Sequence, residues 1–179
     1  MAKQVDITYG NALFELAVEE NKIDTLYEEA VALLDILKEL PEFVKLLNHP
    51  QMSKEEKVAI VEKTLGGRMS KDMTGLVVMV VEKGHSVMLD RILVYFIKCV
   101  KKHKNIGVAS VTSAVALSDS QKAAIYKRLI ETTDYTTMEI AYEQDASIIG
   151  GLIIRIEDRV VDSSIKTKLE KLSKTLANA

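Results

Sequence analysis

Through the first hundred residues apolar positions recur every three or four residues, and that spacing predicts amphipathic helices. Tyr9, Ala12, Leu13, Leu16 and Ala17 form the first stripe, which ends near Asn21. Asp24 is the expected N-cap of a second helix, whose stripe runs Leu26, Ala30, Leu33, Leu37 and Leu40, thickened by Leu34. Pro41 ends it and can open a short third helix with Phe43, Leu46 and Leu47 inward, broken by Asn48-His49-Pro50. Ser53-Lys54-Glu55-Glu56 has the capping-box spacing, with Val58, Val61 and Leu65 behind it and Gly66-Gly67 as the stop. Ser70 caps a fifth helix in which Leu76 to Val81 is apolar on every face. Periodicity alone does not separate helix from strand in such a run. The Ser70-Lys71-Asp72 start and the Lys83-Gly84 stop decide for helix. Ser86 is the expected cap of a sixth, with Met88, Leu89, Ile92, Leu93, Phe96, Cys99 and Val100 inward.

Beyond Asn105-Ile106-Gly107 the pattern changes. Val108 to Val115 alternates and is rich in β-branched residues, which predicts a strand. Ser118-Asp119-Ser120-Gln121 starts a helix carrying Ile125, Leu129 and Ile130, and Met138 to Tyr142 reads as a second strand. Gly150-Gly151 then opens an apolar run to Ile156, followed after a hairpin-sized gap by Val160-Val161. Tandem glycine removes two side chains, so another backbone can approach or the strand can kink. Asp162-Ser163-Ser164 leads into a last helix striped by Ile165, Leu169, Leu172 and Leu176. The pattern predicts an α+β chain of two domains. A six-helix bundle fills residues 1–105, a small α/β domain with a Gly-Gly hairpin fills 106–179, and the hinge lies near 103–107.

Composition narrows the classes. The 179 residues are 47% hydrophobic and 28% charged, enough to bury a core without disulfides. Net charge is −2, with 15 Lys and Arg against 16 Asp and Glu in residues 1–105 and 9 against 10 in the rest. Neither part is a basic module, so nothing electrostatic points to nucleic acid or anionic lipid. The lone Cys99 forms no internal disulfide, the N-terminus carries no secretory signal, and no apolar run reaches the roughly 20 residues that span a bilayer.

No catalytic constellation emerges. His49, His85 and His103 lie apart from one another and from Cys99, so no metal site is expected. Phosphate-cradling glycine loops are missing, since Gly66-Gly67-Arg68 and Gly150-Gly151-Leu152 lack the lysine. Paired acids such as Glu28-Glu29 fall on polar helix faces. Lys98, Lys101, Lys102, His103 and Lys104 sit where a helix C-terminus favours cations, and no aromatic platform for bases accompanies them. What remains is the apolar first and fifth helices, whose stripes are either simple bundle core or, as the functional alternative, a groove that receives a foreign amphipathic helix.

Three groups of residues carry a family resemblance along the whole chain. They are Tyr9 to Ala17; Leu40-Pro41-Glu42-Phe43, Leu47-Asn48-His49-Pro50 and Ser53 to Lys57; and Ile149-Gly150-Gly151 with Val160 to Ile165 and Leu169. With Val111 to Ser118, their order resembles the delta subunit of the bacterial F-type ATP synthase, related to the mitochondrial oligomycin-sensitivity-conferring subunit. The family often has glycine between the hairpin strands and after the motif Asp, where this chain has Glu157-Asp158 and Ser163; a positive-φ turn is therefore not expected.

The resemblance implies a non-catalytic stator subunit without cofactor, present once per complex on the cytoplasmic face of the plasma membrane. It implies that the helical domain grips N-terminal helices of alpha subunits of the catalytic head, through Tyr9, Ala12, Leu13 and Leu16 of the first helix with Leu76 and Val80 of the fifth. The second domain would meet the peripheral stalk b subunit, with no nucleic acid and no membrane insertion. A nucleic-acid-binding α/β module with a helical adaptor is the alternative, and the even charge and scarce aromatics count against it.

Overall fold

The computed structural model describes residues 2–177, and the chain divides into two compact units between Lys101 and Lys102. The boundary falls a few residues ahead of the 105/106 division expected from sequence.

The first unit is helical: α1 (Ala2–Glu19), α2 (Ile23–Glu39), α3 (Pro41–Leu47), α4 (Lys54–Leu65), α5 (Lys71–Glu82) and α6 (Leu89–His103), the last running over the boundary. Local chemistry sets most of the ends. Pro41 sits at the first turn of α3. Ser53 and Glu56 close a reciprocal cap, with the Glu56 N–H donating to Ser53 Oγ at 3.2 Å and the Ser53 N–H donating to Glu56 Oε2 at 3.0 Å. Ser70 Oγ accepts from the Met73 N–H at 3.2 Å, and the Ser70 hydroxyl and N–H both donate to Glu29 of α2. The α5 cap is thereby pinned to a neighbouring helix.

Two expected caps are corrected. Asp24 lies in the first turn of α2, and the cap position is Lys22 with no side-chain bond. Ser86 opens a 3-10 turn, Ser86–Met88, and α6 begins only at Leu89. Ser86 is buried there, three residues ahead of the first residue of α6. The core is built around Phe96, Leu26, Leu33, Met73, Ile92 and Leu93.

In the second unit β1 (Ile106–Ser113) crosses through α7 (Asp119–Thr132) to β2 (Thr137–Gln144), and β3 (Leu152–Ile156) and β4 (Arg159–Asp162) follow. The sheet order is β2-β1-β3-β4. β1 and β2 are parallel from Ile106↔Thr137 to Ser113↔Gln144, while β3 runs antiparallel to β1 and β4 antiparallel to β3. The parallel pair needs a crossover, and α7 supplies it. Alternate residues of β1, from Gly107 to Ser113, point inward, where Ala109 and Met138 meet Leu129 of α7. The final element is α8 (Ile165–Ala177).

The glycine pair lies in the bend before β3, outside the hairpin it was expected to form. At Gly151, φ is +81° and a Cβ would come within 2.4 Å of the Ser163 carbonyl oxygen. The pair thus lets the backbone leading into α8 cross the start of β3, and Ile165 N–H donates to Gly150 O at 2.9 Å. The hairpin turns at Glu157-Asp158, and Glu157 takes φ +50°. That corrects the expectation against a positive-φ turn: here a glutamate occupies the left-handed conformation at some energetic cost.

Candidate functional site

Two faces of the chain offer surface to a partner, and each is described within its own unit. In the first unit two side-chain contacts connect α1 and its end with the flanks of α5. Near the middle of α1, the Tyr9 ring tilts 59° against His85, just past α5, with centroids 6.1 Å apart. Past the end of α1, Lys22 bridges Glu20 and Asp72 in the first turn of α5, the latter at 2.9 Å. These carboxylates, Glu20 foremost, raise the Lys22 ammonium above the ordinary lysine value. On another side α1 rests on α6: a Cβ at Gly10 would sit 2.5 Å from Cδ1 of Tyr95, so only glycine lets the two helices come this close.

The six residues singled out from sequence separate by depth. Leu13, Leu76 and Val80 belong to the buried core, so they hold helices of this unit together and are not themselves an open surface. Tyr9 and Leu16 are half-buried against that core, and Ala12 is exposed. Of the stripe Tyr9, Ala12, Leu13, Leu16 and Ala17 only Ala12 is corrected to the outside, while Gly10 joins Leu13 and Ala17 in the buried line of α1. The outward apolar residues are Ile7 and Val18 on α1 and Met79 on α5, the last 49% exposed.

One turn before Met79 stands Gly75, exposed, where a Cβ would meet nothing within 4 Å. A mid-helix glycine costs about 0.5–1 kcal/mol relative to alanine, and no neighbour within the unit requires it. Gly75 and Met79 escaped the sequence reading because α5 looks apolar all round. The available signal was the glycine immediately before that run.

In the second unit the exposed apolar face belongs to α8. Ile165, Leu169, Leu172 and Leu176 are 43% to 78% exposed. Its start is fixed by the motif acid: Ser164 N–H donates to Asp162 Oδ1 at 2.8 Å, the Thr167 hydroxyl donates to Oδ2 at 2.7 Å, and Thr167 N–H donates to Ser164 Oγ at 3.2 Å. Hydrogen bonds from Ser164, then from Thr167, hold the Asp162 carboxyl below the ordinary aspartate value.

Among the described residues no group of three or more His, Cys, Asp and Glu side chains could hold a metal ion, and no helix is long and apolar enough to cross a membrane. The chemistry on offer is helix-to-helix contact.

Comparison with known proteins agrees in one direction. The family described as ATP synthase delta (OSCP) subunit matches residues 5–176. The chain is 52% identical to ATP synthase subunit delta of Lachnoclostridium phytofermentans, over 98% of this chain and 97% of the relative. It is 34% identical to ATP synthase subunit delta of Enterococcus hirae, over 94% and 93% of the two chains. A chain in the cryo-EM structure of the Toxoplasma gondii mitochondrial ATP synthase hexamer superimposes with a TM-score of 0.78, at 20% identity, over 96% of this chain and 97% of that one. At that identity the match speaks to the fold.

Proposed function

The chain belongs to the ATP synthase delta (OSCP) subunit family, and from that premise we propose how its two units divide the work. The protein is a non-catalytic stator subunit of the F-type ATP synthase, a membrane-associated complex, and serves the peripheral stalk that links catalytic head to membrane sector.

In the proposed division, the unit ending at Lys101 acts as a six-helix bundle that receives N-terminal helices of alpha subunits along α1 and α5. The unit from Lys102 meets the b subunit of the stalk. One copy serves each complex, on the cytoplasmic face of the plasma membrane.

The observation that carries the head contact is Gly75, a helix-weakening residue on an open face with nothing of its own chain to accommodate. A docked helix gives it a purpose, because glycine lets two helix axes approach to the lower end of the usual 8–10 Å. Exposed Met79 supplies an adaptable apolar contact beside it. Leu13, Leu76 and Val80 then act from beneath, setting the spacing of the two helices. A stator under repeated torque must stay bound through turnover, so the summed contacts reach roughly nanomolar affinity, about −12 kcal/mol.

The test replaces surface residues and leaves buried ones alone, since an aspartate at Leu13 would unfold the unit instead of probing contact. Ala12→Asp and Met79→Asp each weaken calorimetric binding to the purified head by about tenfold or more. ATP hydrolysis by the free head stays unchanged. Binding that both substitutions leave intact rejects the α1–α5 face.

A further inference from the structure

Resting on the reading of the second unit as the stalk-facing one, we propose that α8 is one half of an intermolecular coiled coil whose other half is an acidic amphipathic helix. Ile165, Leu169, Leu172 and Leu176 follow one another at steps of four, three and four. That is the alternation of a heptad seam. Within a finished fold such a seam is covered, yet here all four side chains are exposed and no described residue of α8 except Ser164's neighbour Thr167 is even half-buried. An isolated helix of 13 residues is marginal in water, so its face calls for a partner.

Charge selects that partner. α8 carries Lys166, Lys168, Lys171 and Lys174 against Glu170 alone, a net charge of +3 in a chain whose total is −2. Lys166 and Lys168 fall at the positions flanking the Ile165–Leu169 step, where charges in coiled coils choose the opposite helix. A second basic helix is repelled there and an acidic one is drawn in.

A separate feature extends the seam past the N-terminus of α8. Ile149 is held at φ +68° and ψ −41°, costly for a β-branched residue, and its side chain is 60% exposed. It adjoins Gly150, whose carbonyl accepts from the Ile165 N–H at the head of α8, so one more exposed apolar residue stands next in sequence to the residue that anchors the seam's first member.

The experiment attaches purified heads, through the full-length chain, to membranes stripped of heads. Leu169→Asp with Leu172→Asp lowers retention about tenfold or more, and so does reversal of Lys166, Lys168, Lys171 and Lys174 to Glu. Leu169→Ala with Leu172→Ala keeps helix propensity and still lowers retention. In every variant, binding of the chain to the head alone is unchanged, and wild-type attachment weakens as salt rises. Full retention by both leucine pairs overturns the seam, and full retention by the charge reversal overturns the acidic partner. Equal affinity of the wild-type chain for phosphatidylglycerol vesicles assigns α8 to lipid, and dimerisation in sedimentation equilibrium that the leucine pair abolishes assigns it to a second copy; either overturns the proposal. Failure of the wild-type chain itself to attach heads strikes the stalk-facing reading. Success of wild type and variants alike strikes only the seam.

Discussion

Asp162 shows how a single carboxylate connects the sheet to the element that leaves it. Its two oxygens accept from Ser164 and Thr167, and these bonds lower its folded pKa. A lowered folded pKa means that stabilisation is complete above the ordinary aspartate value and is lost as pH falls through the folded one. The junction of β4 and α8 is therefore insensitive to pH from about 8 to 5 and loosens only below about 4. Following the Ser164 amide by NMR checks this, and a titration midpoint near neutrality would contradict it. Asp162→Asn abolishes the acid transition. The Asp-Ser-Ser motif was readable because its side chains act on their own backbone within five residues. The burial of Gly10 on α1 was not, because glycine carries no hydrophobic signal. Its burial comes from the Tyr95 ring on a helix some eighty residues later, and only the assembled unit reveals that.

At the scale of elements, helices with their own caps were legible, as Ser53 and Ser118 show by closing the boxes that their spacing predicts. The 3-10 turn before α6 was not, since a serine ahead of an apolar stripe marks a start without saying whether the first turn is 3-10 or α. Strand pairing was likewise closed to sequence: alternation marks β1 and β2 but does not say that they run parallel. α5 holds the sharpest conflict between stability and contact. Gly75→Ala should stabilise the first unit by about 0.5–1 kcal/mol in thermal unfolding, because the added methyl meets nothing and restricts the unfolded chain. Gly75→Leu should likewise leave the first unit at least as stable as wild type but weaken head binding by about tenfold, since a long side chain separates the docked axes. Unchanged head binding by the leucine variant would mean that the glycine face is not in the contact.

The whole molecule pairs a unit with a large core and a unit with a small one. Among the described residues, nineteen buried apolar side chains of the first form one cluster, whereas the corresponding cluster of the second contains Ala109, Leu129 and Met138. Hydrophobic stabilisation scales with area removed from water, so the second unit has much less to set against the entropy of ordering its chain. A heptad seam looks the same in sequence whether its own sheet covers it or another subunit does, which is why the exposure of α8 could not be read in advance. The difference in cores leads to a measurable asymmetry. In the free chain, amide hydrogens of α8 should exchange close to the unprotected rate and those of β1 to an intermediate degree, while α2, α5 and α6 approach the limit set by global unfolding. On incorporation into the synthase, protection of α8 should rise by about two orders of magnitude, because docking adds the burial that its own sheet does not supply. Equal protection of α6 and α8 in the free chain would show that the second unit is already complete, and its order would then owe nothing to the stalk.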